Sequence, residues 1–107
     1  MTTFDSRERA MEAMFVHDEE MKFFAYARRN RLLGLWAAEK LGKQGVEAEA
    51  YAKSVVMADF EEEGDNDVFR KVRRDFDDAQ VQLSDHQIRR TMDELLATAV
   101  DQIKAER

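Results

Sequence analysis

The side chains best able to do chemistry are scattered along this chain. His17 and His86 are its two imidazoles and lie far apart in sequence. The run His17-Asp18-Glu19-Glu20-Met21 begins like a zinc-protease helix but lacks the second histidine four residues on. There is no cysteine, which removes disulfides and thiolate metal sites. Ser6, Ser54 and Ser84 are the three serines, and none falls in the strand-turn-helix context of an activated nucleophile. Gly34, Gly42, Gly45 and Gly64 are too dispersed to form a phosphate-binding loop. Asp65-Asn66-Asp67 opens like a calcium loop, then places Phe69 at the fifth position and Arg70 where that loop needs glycine. These patterns lead us to expect no enzymatic activity, no cofactor and no bound metal.

What remains is chemistry suited to recognising another protein. Phe4, Met11, Met14 and Phe15 fall close to one face at helical spacing, with Asp5, Arg7, Glu8, Arg9 and Glu12 over the rest. Such a segment either lies on the core as a covering helix or docks into a partner's groove. His17 follows at the edge of this stretch, beside Asp18, Glu19 and Glu20. Neighbouring carboxylates favour protonated imidazole, so His17 is either a plain surface histidine or a pH-sensitive element. Arg28-Arg29-Asn30-Arg31 suggests a polyanion site, yet successive residues on a helix point about 100° apart. A solvated face with ion pairs is the expectation there, and likewise at Arg70-Lys71 and Arg73-Arg74. Lys71 with Asp75, Arg73 with Asp77 and Arg74 with Asp78 are opposite charges at i,i+4. The acidic cluster from Asp59 to Asp67 reads as a solvated turn or a partner-facing patch.

The elements that must position these groups are helices. The chain has no proline, and its glycines punctuate segments of period near 3.6. A first helical region runs from about Asp5 to Leu41, where Leu41-Gly42-Lys43 predicts a glycine cap. A second spans about Val46 to Glu62 on the stripe Ala48, Tyr51, Ala52, Val55 and Ala58 or Asp59, widened by Val56, Met57 and Phe60. A third starts after Asp65 or Asn66 on Phe69, Val72, Phe76 and Ala79. A fourth opens at Ser84, with Gln87 three residues on as a capping box, and continues on Ile88, Met92, Leu95, Ala99 and Ile103. No segment alternates with period two, so no sheet is expected.

An unbroken first helix of 37 residues would extend about 55 Å, too long for a domain whose radius of gyration is near 13 Å. Composition marks the division. Residues 22–41 carry Phe23, Phe24, Leu32, Leu33, Leu35 and Trp36 as core material, whereas residues 5–20 hold eight charges in sixteen positions. The expected architecture is all-α: one domain over 1–107, with a four-helix bundle at 21–107 and an amphipathic arm at 1–20. Composition leaves open whether the arm folds back or stands away.

With 107 residues, the chain fits a single domain able to bury its own core. Its net charge of −6 is repelled by phosphate backbones and anionic membranes, arguing against nucleic acid or membrane insertion. The longest mainly apolar stretch, Leu32 to Ala38, is short of the ~20 residues needed to cross a bilayer, and the N-terminus has no apolar signal region. The expectation is therefore a cytoplasmic protein. No long heptad seam asks for a coiled-coil dimer, so a monomer is expected when free.

Several runs are similar to a known family. Phe15-Val16-His17-Asp18-Glu19-Glu20, the stretch from Ala27 through Leu33-Gly34-Leu35-Trp36 to Gly42, and Gly64-Asp65-Asn66-Asp67-Val68-Phe69-Arg70-Lys71-Val72 resemble the zeta subunit of alphaproteobacterial F-type ATP synthases. The likeness begins at Thr2-Thr3-Phe4-Asp5 and fades near Glu94-Leu95, spanning nearly the whole chain. It implies a four-helix bundle peripheral to the inner membrane, with an N-terminal segment that inserts at a catalytic interface between alpha and beta subunits. Rotation in the hydrolytic direction, involving gamma, is thereby blocked. The corresponding segment is roughly Met1 to Glu19. Its expected partner-binding residues are Phe4, Asp5, Arg7, Glu8, Arg9, Met11, Glu12, Met14, Phe15, His17, Asp18 and Glu19. Met14 and Val16 add apolar bulk where the family carries small or basic residues. Alternatives are an acidic helical module for another cytoplasmic partner, or weak adenine-nucleotide binding through Arg28, Arg31 or other basic residues near the bundle end.

Overall fold

The computed structural model describes residues 19–59 and 66–106. They form α1 (Glu19–Lys40), α2 (Val46–Ala58), α3 (Asn66–Asp78) and α4 (Asp85–Ala105), with no strand among the described residues. The α1 helix packs against α2 and α4, and α3 closes the bundle by meeting the same two helices. Edge-on contact between Trp36 of α1 and Phe76 of α3, with ring centroids 5.7 Å apart, joins the two helices across the core.

Local sequence explains where these helices stop. Gly42, at φ 77°, ends α1: the Lys43 N–H reaches the Ala38 carbonyl at 2.9 Å and the Gly42 N–H that of Glu39 at 3.1 Å. These are the paired bonds of a Schellman cap. Ser84 Oγ accepts from the Gln87 N–H at 3.1 Å, while Gln87 Oε1 accepts from the Ser84 N–H at 2.8 Å, the expected capping box of α4. The end of α3 differs from expectation. It stops at Asp78, and Gln80 takes the left-handed position at φ 60°, so that the Val81 N–H bonds the Phe76 carbonyl at 2.8 Å. Ala79 therefore lies past the helix, exposed rather than in the core.

The main core joins Leu33, Ala37 and Ala38 of α1, Tyr51 and Val55 of α2, Val68, Phe69, Val72 and Phe76 of α3, and Ile88 and Met92 of α4. A second cluster holds Ala25, Leu96, Val100 and Ile103, with Met21 and Tyr26 against it. Leu96 is fully buried, whereas Leu95 is half-buried at the edge of the main core. At α2, Met57 is exposed rather than widening the buried stripe; Phe60 lies outside the described residues.

Arg29 and Asn30 depart furthest from the solvated face expected of the basic run, because both are completely buried. The Arg29 Nε–H donates to Asn30 Oδ1 at 2.7 Å, and the guanidinium stands 5.3 Å over Tyr26. Of the expected i,i+4 pairs, Lys71–Asp75 (3.1 Å) and Arg73–Asp77 (2.8 Å) form. Arg74 makes no ion pair with Asp78 among the described residues and instead lines a cleft between α2 and α3. Arg73 also bonds the Leu83 carbonyl (2.7 Å) and Asp85 (3.0 Å), tying α3 to the start of α4.

The helices α1 and α2 cross in close contact at Gly34. A Cβ built on Gly34 would stand 2.5 Å from Ala52 Cα and 3.0 Å from Ala52 Cβ. The obstacle is backbone and cannot rotate away. Gly34→Ala thus tests opposing effects: alanine favours an isolated helix by about 1 kcal/mol, whereas overpacking a core costs about 1–3 kcal/mol. The clash should win, lowering the urea midpoint at unchanged m-value; a rise in midpoint would contradict this account.

Candidate functional site at the start of the first helix

Eleven of the twelve predicted partner-binding residues, from Phe4 to Asp18, lie outside the described residues. Glu19 is described as the first residue of α1. The structure therefore defines the root from which the proposed arm departs. Phe60 to Asp65 of the acidic cluster also lie outside the described residues. Asp67 is 4% exposed, and its Oδ1 accepts from the Val68 N–H at 2.8 Å, an arrangement that helps begin α3.

At the root, α1 has two different sides. Ala25, Met21 and Tyr26 belong to the cluster formed with Leu96, Val100 and Ile103 of α4. Phe23 and Phe24, expected to be core residues, instead stand 57% and 49% exposed, with ring centroids 5.9 Å apart in an edge-to-face pair. Helical phase explains this for Phe24, though not for Phe23, which stands seven residues before the buried Asn30 and on its face. Nine residues at 100° each set Phe24 opposite the buried Leu33. That signal was present in the sequence, although hydrophobicity alone pointed the other way.

A tie that sequence spacing did not reveal fixes this end of α1. Arg28 grips Glu106 with both terminal nitrogens, the Nη2–Oε2 distance being 3.0 Å, and also reaches Gln102 Oε1 at 3.4 Å. The two charged partners are 78 positions apart, so no local pattern could pair them. The hydrogen bonds from Arg28, reinforced by its charge, hold the Glu106 carboxyl below the ordinary glutamate value. Arg31 pairs with Glu49 of α2 at 2.9 Å. The two arginines considered for phosphate are thus directed to α4 and α2 respectively. Basic side chains gather elsewhere, at a cleft of about 490 Å³ between α2 and α3 lined by Lys53, Arg70, Lys71 and Arg74.

Comparison with known proteins gives this architecture its family. The model of the ATPase inhibitor subunit zeta family matches residues 1–102, the N-terminal segment and the described bundle up to the last turn of α4. The chain belongs to that family. A solved relative, titled a solution NMR structure, is 49% identical and superposes with a TM-score of 0.73, covering 81% of this chain and 99% of its own. No curated protein matches this chain. Membership in the zeta family accords with a regulatory subunit of an ATP synthase. No helix among the described residues is long and apolar enough to cross a membrane.

The tie at the arm's root has a measurable pH signature. A carboxyl more acidic folded than unfolded contributes above its unfolded value, about 4.3 for glutamate, and its contribution is lost as pH falls through the lower folded value. Carboxyl-carbon NMR should place the Glu106 midpoint below that ordinary value and return it there in Arg28→Gln. Equal midpoints in both proteins would remove the tie.

Proposed function

We propose that this protein inhibits ATP hydrolysis by the catalytic head of an F-type ATP synthase, using residues 1–19 as a helical wedge. The wedge enters a catalytic interface between an alpha and a beta subunit, where it opposes hydrolytic rotation of gamma. The observation carrying this reading is the family match through residues 1–102, which includes the proposed arm. A wedge needs apolar anchors for a cleft and charges for its rim, not catalytic groups. Phe4, Met11, Met14 and Phe15 supply the anchors; Asp5, Arg7, Glu8, Arg9 and Glu12 supply the rim. His17, Asp18 and Glu19 continue the contact to the bundle. Such a protein works on the cytoplasmic side of the inner membrane, held there by the synthase.

The division into a 1–20 arm and a 21–107 bundle is part of this proposal. It is supported by composition, residues 5–20 holding eight charges in sixteen positions with few large apolar residues. Removing residues 1–19 from the isolated-head assay should abolish inhibition while leaving the helical thermal transition in place. Phe15→Ala should raise the concentration needed for half-inhibition roughly tenfold or more, as expected on truncating a buried aromatic anchor. Equal inhibition by full-length and truncated proteins would refute the wedge.

The cleft lined by Lys53, Arg70, Lys71 and Arg74 favours a second reading, weak binding of an adenine nucleotide. ATP titration followed by backbone NMR should then shift signals around Arg70 and Arg74; an unchanged spectrum would dismiss it.

A further inference from the structure

The cleft between α2 and α3 gathers positive charge on a chain whose net charge is −6. Ala58, the last residue of α2, shares this cleft with Asp67 at the start of α3, and Tyr51 Oη donates to Asp75 Oδ2 at 2.7 Å, so the two helices run antiparallel. Ala50, Lys53 and Met57 follow at spacings of three and four on α2, and Asp67, Arg70 and Arg74 follow at the same spacings on α3. Each helix thus gives one wall. Lys53, Arg70 and Arg74 are exposed, and Lys53 and Arg74 make no ion pair among the described residues. Lys71 differs, because Asp75 holds its amine at 3.1 Å over the Tyr51 ring. The carboxylate of the cleft, Asp67, is buried and accepts from the Val68 N–H at the start of α3. Met57 adds apolar surface to the cationic walls and is 56% exposed.

We infer that this cleft docks an acidic helix of a partner protein, one that carries carboxylates a turn apart with an apolar residue between them. The placing of the cations favours this occupant. Arg70 and Arg74 lie one turn apart, about 6 Å along α3 at 1.5 Å per residue, and Lys53 stands on the opposite wall. Carboxylates at i and i+4 of a helix repeat at that same rise, so successive ones meet successive cations. A polyphosphate gains most where cations and backbone N–H groups converge on one point, and no glycine lines this cleft to bring backbone close. Met57 points the same way: a thioether side chain adapts to an apolar partner residue and offers a phosphate nothing. An anionic bilayer would be repelled by the rest of the chain. Exposed charge pairs contribute little singly, so docking depends on several in register around one apolar contact, and it weakens with salt. This surface goes beyond the nucleotide reading of the same cleft and does not rest on the wedge.

The test titrates isotope-labelled full-length protein with a capped, alanine-rich peptide of about 18 residues, long enough to hold a helix. The peptide bears glutamates four positions apart with a leucine between them. Amide signals of Lys53, Met57, Arg70 and Arg74 should shift together and saturate, and the shifts should shrink as salt rises. The same peptide with glutamine in place of glutamate should leave those signals where they are. Lys53→Gln with Arg74→Gln should raise the peptide Kd roughly tenfold, as expected on losing close charge pairs across an interface. Lys40→Gln with Lys104→Gln removes equal charge from exposed positions elsewhere and should leave the Kd unchanged. Unshifted signals with the glutamate peptide, equal binding of the glutamine peptide, or equal weakening by the two double variants would overturn the inference. So would tighter binding of ATP than of the peptide at these residues, which would make the cleft an oxyanion site. Inhibition of the synthase head without peptide docking would remove this surface alone; docking without inhibition would leave it standing while removing the proposed wedge.

Discussion

The bundle depends on how closely α1 approaches α2. At Gly34 there is no space for even one added carbon, because Ala52 backbone stands where it would go. Close backbone approach draws Leu33, Ala37 and Ala38 against Tyr51 and Val55, and this paired layer receives α3 and α4. Gly34 therefore accepts the conformational cost of a glycine within a helix, about 0.5–1 kcal/mol relative to alanine, in a position where packing excludes the residue a helix would otherwise prefer. The same crossing sets the separation of Arg31 and Glu49, which pair across the outside of the interface.

From this crossing, α1 continues toward its N-terminus packed on α4 among the described residues. The second core cluster and the grip of Arg28 on Glu106 both belong to that shared stretch. One side of α1 is thus tied to the bundle, while the side bearing Phe23 and Phe24 stays exposed. This asymmetry makes the helix a rigid root for whatever lies upstream.

The sequence disclosed features governed by nearest neighbours. Gly42 and the Ser84–Gln87 box mark helix ends through bonds made within a few residues, and the stripes of α2 and α4 follow from a fixed rotation per residue. Features governed by distant partners were harder to read. Arg29 looked solvent-facing because its charge was visible, whereas its place between two core clusters depends on how α1 meets the other helices. Gln80 was missed for a related reason: glycine is the usual left-handed cap, and here the contact of Val81 with the core selects that geometry despite glutamine. Leu95 and Leu96 are neighbours about 100° apart, so a small error in helix orientation exchanges which one is assigned to the interior. Of the candidate site, the expected anchors lie outside the described residues, and the Arg28–Glu106 tie required the assembled bundle.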